Sequence, residues 1–238
     1  MEQYLSNTQT RTFDVVSENA YAKLMRNVYL WMTLALVVTG MAAYYVANSP
    51  QLLNIVFSNS LVFWGLIIAE LGIVIYISSS IEKISFTRAA LMFVLYSLIN
   101  GVVLSSVFVI YTMESITSVF FITAGTFGAM ALVGSFIKKD LSMLGRIFIM
   151  TLIGIIIATV VNMFVESSLL TLILNYLGVL VFVGLTAYDA QKIKMLLQQH
   201  GTEVNESTMK IALLGSLELY LDFINLFLYL LRIFGKDK

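Results

Sequence analysis

Glu70, Glu218 and Asp222 are carboxylates set inside long apolar stretches, and Asp189 stands at the end of another. A carboxylate at the centre of a membrane helix costs about 2.5–3.5 kcal/mol on insertion scales. Such groups therefore face a bundle interior, a water-filled cavity or one another. All fourteen Lys and Arg lie outside the apolar stretches, so the charge within them is entirely acidic. Gly215, Glu218, Asp222, Asn225 and Tyr229 recur at intervals of three, four, three and four, with Leu, Ile and Phe between them. That spacing puts them on one face of a helix, and a helix with such a stripe belongs inside a bundle. Asn175, Gly178 and Asp189 form a weaker stripe in the preceding stretch. The competing explanation for each group is an interhelical hydrogen bond that only fixes packing. Glu70, alone in its stretch, fits that explanation best.

The elements that must carry these acids are membrane helices. The chain has 238 residues, 59% hydrophobic and 12% charged, against about 25% charged in soluble domains. A helix needs about 20 mostly apolar residues to cross a bilayer. Seven stretches meet that need: 27–47, 61–81, 89–111, 116–137, 147–165, 169–188 and 211–231. Runs such as LIGIIIATVV do not alternate in polarity, which rules out barrel strands. The expected fold is an all-α membrane protein with a polar tail over 1–26, one seven-helix domain over 27–231 and a short tail over 232–238. The opening segment lacks the basic-then-apolar order of a cleaved signal, so span 1 is expected to serve as an uncleaved one.

Basic residues set the orientation. Arg11, Lys23 and Arg26 precede span 1; Lys83 and Arg88 follow span 2; Lys138, Lys139 and Arg146 follow span 4; Lys192, Lys194 and Lys210 follow span 6. The loops after spans 1, 3 and 5 have none. This alternation places the N-terminus in the cytoplasm. Arg232, Lys236 and Lys238 after span 7 break it. A full crossing by span 7 is still expected, because GSLELYLDFINLFLYLLRIF is long and free of proline. The pairs Gly154/Ala158 and Gly125/Ala129, each four apart, are expected to be close helix contacts. His200, in the polar run QQHGTEVNE, is expected to be solvated rather than a ligand.

Several function classes drop out. No cysteine means no disulfide, thiolate metal site or cysteine nucleophile. Zero formal net charge gives no reason to expect nucleic acid. Phosphate-cradling glycine loops and clustered histidines are missing. No cofactor and no enzymatic activity are expected.

Two segments carry a resemblance: VGLTAYDAQKIK at the end of span 6 and LELYLDFINLFLYLLRIFG in span 7. Together they resemble the Bax inhibitor (transmembrane Bax inhibitor motif) family, and the likeness runs from YLWMTLAL through FGAMALVGSFIKKDLS to the C-terminus. It is closest to bacterial inner-membrane members. The resemblance implies seven helices with span 7 central and spans 1–6 around it. It implies a pH-sensitive calcium leak, gated by a pair formed by Asp189 and Asp222 near the cytoplasmic side. These two are the implied weak calcium ligands, with calcium as transported ion, and Glu218 is a candidate pathway lining. Glu70 and Asn225 are possible supporting polar groups. In some relatives an arginine near the end of span 2 holds the pair shut; here ISSSIEKISFTR offers only Lys83 and Arg88.

Two close carboxylates in a low-dielectric site cannot both ionise freely, and they titrate jointly. Calcium prefers about six to eight oxygen ligands. A site of two or three carboxylates is weak, which suits conduction. Expected partners are the bilayer, calcium or other cations, and possible other membrane proteins. The alternative function is a regulatory or scaffold protein that modulates stress, cell-death or membrane-protease pathways by contact. A third reading, an intramembrane aspartyl protease, also needs two aspartates on neighbouring helices, but YLDF lacks the glycine of their GxGD pattern.

Overall fold

The computed structural model describes residues 2–200 and 203–238, with side chains from residue 19 onward except that of residue 200. The described residues form eight helices and no strand beyond one isolated bridge. The helices are α1 (Glu2–Ala47), α2 (Pro50–Ser58), α3 (Ser60–Ser80), α4 (Phe86–Ile110), α5 (Met113–Phe136), α6 (Ser142–Val165), α7 (Ser168–His200) and α8 (Glu206–Phe234). All but α2 are long and apolar enough to cross a membrane.

Local chemistry sets most of the ends. Ser49 caps α2 through the amide of Leu52, with Pro50 at its first position. Ser85 and Thr112 cap α4 and α5 in the same way. Asn205 and Thr208 form a reciprocal capping box at the start of α8. In each case a side-chain oxygen takes an amide that the helix leaves unpaired.

Three boundaries differ from those expected. α1 begins before residue 27: Ala20, Leu24 and Met25 are buried, so residues 19–26 belong to the bundle rather than to a tail. They lie at helical spacing among polar residues, which a hydropathy window averages away. The side chains of residues 2–18, the rest of the expected tail, lie outside the described residues, as does that of His200. α2 was unforeseen because nine residues are too few to register as a span. α7 runs on to His200, so Lys192 and Lys194 sit on a helix rather than in a loop. The apolar signal ends near Tyr188, but the helix does not.

α8 crosses in full. Near its start, Glu206 Oε1 accepts from the amide of Phe86, 2.9 Å away at the first residue of α4. Past its end, the amide of Thr112 donates to the Lys236 carbonyl (3.1 Å) and that of Lys238 to Ile110 (2.9 Å), both at the α4–α5 turn. α4 joins those two places, so the ends of α8 lie on opposite faces. Arg232, Lys236 and Lys238 therefore share the side of the α4–α5 turn.

Lipid tails are as apolar as leucine, so the hydrophobic effect does not press these helices together; packing and polar contacts must. α8 is the most buried span, with 67% of its apolar window inside the bundle against 6% for α6. It packs on α7, α1, α5 and α4, while α3 rests on α4 and α6 on α7. Tyr220 lies fully buried at its middle, edge-on to Phe93 and Tyr96, each at 5.7 Å between ring centres. Such pairs contribute about 0.5–1.5 kcal/mol each.

Glycine contacts fall elsewhere than expected. Gly154 and Gly125 have nothing within 4 Å of where a Cβ would sit, so they are not close helix contacts. The glycines that bring backbones together are Gly101 against Thr39 and Gly134 against Ala187, while Gly178 makes room for the Tyr229 ring. A four-residue spacing of small residues marks a possible contact face but not which way the helix turns. Gly154→Ala is expected to change stability by less than about 0.5 kcal/mol, since an outward position gains only a methyl group; thermal melting in detergent checks this.

Candidate functional site

Every residue of YDAQKIK is committed to a neighbour, because α7 packs against α8, α5 and α6 at once. Tyr188 lies against Gly145 of α6, where any Cβ would reach within 2.6 Å of its ring. Ala190 and Ile193 are buried. Gln191 clamps the α5–α6 connection: its Oε1 accepts from the Leu141 amide (2.8 Å), and its Nε2 donates to the carbonyls of Lys139 (2.9 Å) and Ile137 (3.3 Å). Lys194 Nζ donates to the Ser135 carbonyl of α5 at 2.6 Å. That leaves Asp189 and Lys192, three residues apart, to face α8.

The stripe read on α8 is the surface that meets α7. Gly215 lies against Ile193, Glu218 pairs with Lys192, Asp222 meets Asp189, and Tyr229 stacks on Phe182 at 5.8 Å beside Gly178. Residue numbers rise on one helix as they fall on the other, as in an antiparallel pair. Asn225 is the exception, its amide turned back to the Leu221 carbonyl at 2.8 Å. Asn175 is buried on α7.

Asp189 and Asp222 are thus brought together, their carboxyls within hydrogen-bonding reach. Asp189 is half-buried and Asp222 is 4% exposed. Oδ2 of Asp222 is buried and finds no hydrogen-bond partner. A proton on one carboxyl would bond to the other; two ionised carboxylates would repel there. Glu218 lies one turn away on α8, close enough to act on both aspartates by charge. Its Oε1 takes the Lys192 ammonium at 2.7 Å. Among the described residues, no three acidic, histidine or cysteine side chains are arranged to hold a metal ion.

The basic group at the α7–α8 seam is Lys192, bonded to Glu218 one turn from Asp222; Lys83 and Arg88 lie elsewhere. Lys83 sits in the α3–α4 connection and Arg88 in the first turn of α4, both exposed. The position after span 2 is instead occupied by Ile81 and Glu82, which line a cavity of about 540 Å3 shared with Lys192, Lys210, Leu214 and Glu218. Lys192 was missed because it was placed in a loop. Its spacing from Asp189 puts both on one helical face once the helix is continued.

Glu70 lies apart from this pair but is not alone. It is buried on α3 beside Asn100 of α4, with Oε1 lacking a partner. Asn100 accepts from the Tyr220 hydroxyl (3.0 Å), which meets Thr39 of α1 (2.6 Å), which donates to the Ser97 carbonyl (2.9 Å). This buried polar chain ties four helices together.

Gln191→Ala is expected to lower stability by about 2 kcal/mol, since it strips a buried amide and two carbonyls of one shared partner. Thermal melting of the purified chain measures the loss.

A bundle of seven membrane-length helices with two acids joined at its α7–α8 seam is a polytopic membrane protein with an acidic centre. The family model described as inhibitor of apoptosis-promoting Bax1 matches residues 21–238, and the chain belongs to that family. It is similar to the inner membrane protein YbhL of Escherichia coli (strain K12), 49% identical over 214 residues that cover 90% of this chain and 92% of that one. It also resembles uncharacterized proteins of Borreliella burgdorferi, 44% identical over 218 residues (91% and 93% of the two chains), and Rickettsia prowazekii, 38% over 235 (98% and 96%).

Proposed function

We propose that the protein is a cation leak pathway of the bacterial inner membrane, passing calcium under the control of a proton held between Asp189 and Asp222. The observation that carries this reading is the meeting of the two carboxyls, one of them 4% exposed with an oxygen lacking any donor. A buried acid pair is costly and has two states, protonated or cation-balanced. A cavity of about 540 Å3 beside the α3–α4 connection reaches Lys192 and Glu218, and Glu218 lies one turn of α8 from Asp222. A few carboxylate oxygens with backbone or water ligands form a site weak enough to release calcium. The inner-membrane location is taken from the name of the Escherichia coli relative. No step calls for an enzyme.

The test is calcium entry into liposomes that carry the purified chain, followed with a trapped indicator at acidic and neutral pH. Entry faster than in protein-free liposomes, and changing with pH, supports the reading. Equal entry with and without protein at every pH rejects it.

A further inference from the structure

The bundle is not closed all the way round α8. α3 packs on α4 and α2, and α6 packs on α7, so neither of them covers α8. Between Ile211 and Leu228, α8 is buried except at Ile211, Leu214, Glu218, Leu221, Asn225 and Leu228, which recur at intervals of three and four. The first three line the cavity of about 540 Å3, together with Ile81 at the end of α3 and Leu196 of α7. The open stripe therefore starts in a gap between α3 and α7, where lipid chains meet it. α3 has 21 residues, one bilayer crossing, so its end at Ser80 puts the cavity at headgroup level. The charged lining is balanced, with Lys192 and Lys210 against Glu82 and Glu218. Lys192 and Glu218 satisfy each other at 2.7 Å. Lys210 and Glu82 are left. The Lys210 side chain is 16% exposed, yet its nearest acceptors among the described residues are the Glu82 carbonyl at 3.4 Å and Glu206 Oε1 at 4.0 Å. That Glu206 oxygen already takes the Phe86 amide. An ammonium has three donors, and an enclosed one held only by long contacts is short of an anion. The Glu82 carboxylate and the Ser207 hydroxyl, both on the same lining, have no partner among the described residues.

We propose that this cavity binds the headgroup of an ethanolamine phospholipid, with the phosphate on Lys210 and Ser207, the ammonium on Glu82, and the acyl chains along the open stripe of α8. The site is independent of calcium passage. Basic pockets between membrane helices take lipid phosphates. A lining with two lysines and two glutamates suits a headgroup that carries both signs and no net charge. An anionic lipid would gain Lys210 but leave Glu82 facing negative charge. A choline lipid would bring a cation without N–H donors, so Glu82 would have charge to face but no hydrogen bond to accept. The walls of Ile81, Leu196, Ile211 and Leu214 are apolar and continue into the stripe, which gives the chains their path. The volume lies within the roughly 300–1,000 Å3 of ordinary ligand sites.

The experiment is thermal melting of the full chain in detergent, without calcium, titrated with phosphatidylethanolamine, phosphatidylcholine and phosphatidylglycerol of identical chains. A ligand that binds only the folded form raises the melting temperature according to its concentration relative to Kd. Phosphatidylethanolamine is expected to reach half its full shift at a concentration about tenfold lower than either of the other two lipids. Glycerophosphoethanolamine, the headgroup without chains, is expected to give no shift over the same range. Lys210→Met should raise the ethanolamine-lipid midpoint about tenfold, and Glu82→Gln should close the gap between the ethanolamine and choline lipids. Lys83→Met, an exposed lysine of the same connection, should leave every midpoint unchanged. Glu82 is exposed, so Glu82→Gln keeps the test open if Lys210→Met melts too low to titrate. Equal midpoints for the ethanolamine and choline lipids in the wild type, or a lower midpoint for phosphatidylglycerol, overturn the proposal. So does a wild-type ethanolamine response in Glu82→Gln. None of these outcomes bears on calcium entry, which is measured separately.

Discussion

Asp222→Asn is expected to remove the pH response of calcium entry while leaving the fold intact. Two ionised carboxylates about 4 Å apart repel by about 4 kcal/mol where the effective dielectric constant is near 20. That repulsion is relieved by one proton or one cation, and the choice between them couples pH to ion passage. An asparagine in place of Asp222 is the same size and is neutral at all pH values. Asp189 then faces a neutral amide that can donate to it, and the two-state balance no longer depends on sharing a proton. The wild type should change its calcium entry about tenfold or more between roughly pH 5 and pH 8, and the variant less than about twofold. Asp189→Asn should behave alike, because the titration belongs to the pair rather than to either member. Entry of tracer into liposomes measures both. A variant that keeps the wild-type pH profile removes the aspartate pair as the gate. The melting temperature of Asp222→Asn should not fall, since a buried acid with an unpartnered oxygen is replaced by a group that carries no charge.

The seven spans were legible because membrane helices announce themselves by length and apolarity alone. The acid stripe on α8 was legible for a similar reason: Gly215, Glu218, Asp222 and Tyr229 interrupt an otherwise apolar helix at its own period. Which neighbour the stripe would face was not, since periodicity gives a face and not a partner. The structure turns it onto α7, with Glu218 on Lys192 and Tyr229 on Phe182. Lys192 itself was hidden by the same hydropathy that revealed the spans. A window that ends a helix where apolarity ends turns its last three turns into a loop, and with them the counter-ion. Gly154 and Gly125 failed for the opposite reason, as small residues can face lipid at little cost while their spacing still resembles a contact. Glu70 was read as solitary because its partners, Asn100, Tyr220 and Thr39, come from three other helices, and no local pattern joins them.

Gly134→Ala is the substitution expected to damage the site most without touching it. A Cβ at residue 134 would drive into the carbonyl oxygen of Ala187 and lie 2.8 Å from its Cα, so the obstacle is backbone, which cannot rotate away. α5 and α7 would have to part there. The parting falls two residues before Asp189 and one turn before Gln191, whose amide bridges to the α5–α6 connection. It also falls beside Ser135, whose carbonyl holds Lys194. Overpacking of a tight contact costs about 1–3 kcal/mol, and a clash with backbone on both helices sits at or above the top of that range. Helices in a bilayer have no hydrophobic pressure to close the gap again, so the lost van der Waals contact is not recovered elsewhere. Melting in detergent should show a loss of about 3 kcal/mol, and Asp189 should move relative to Asp222, shifting the pH at which calcium entry changes. Gly125→Ala, nine residues earlier on the same helix and facing open space, should do neither. Equal stability of the two variants would mean that the α5–α7 seam does not approach as closely as Gly134 requires.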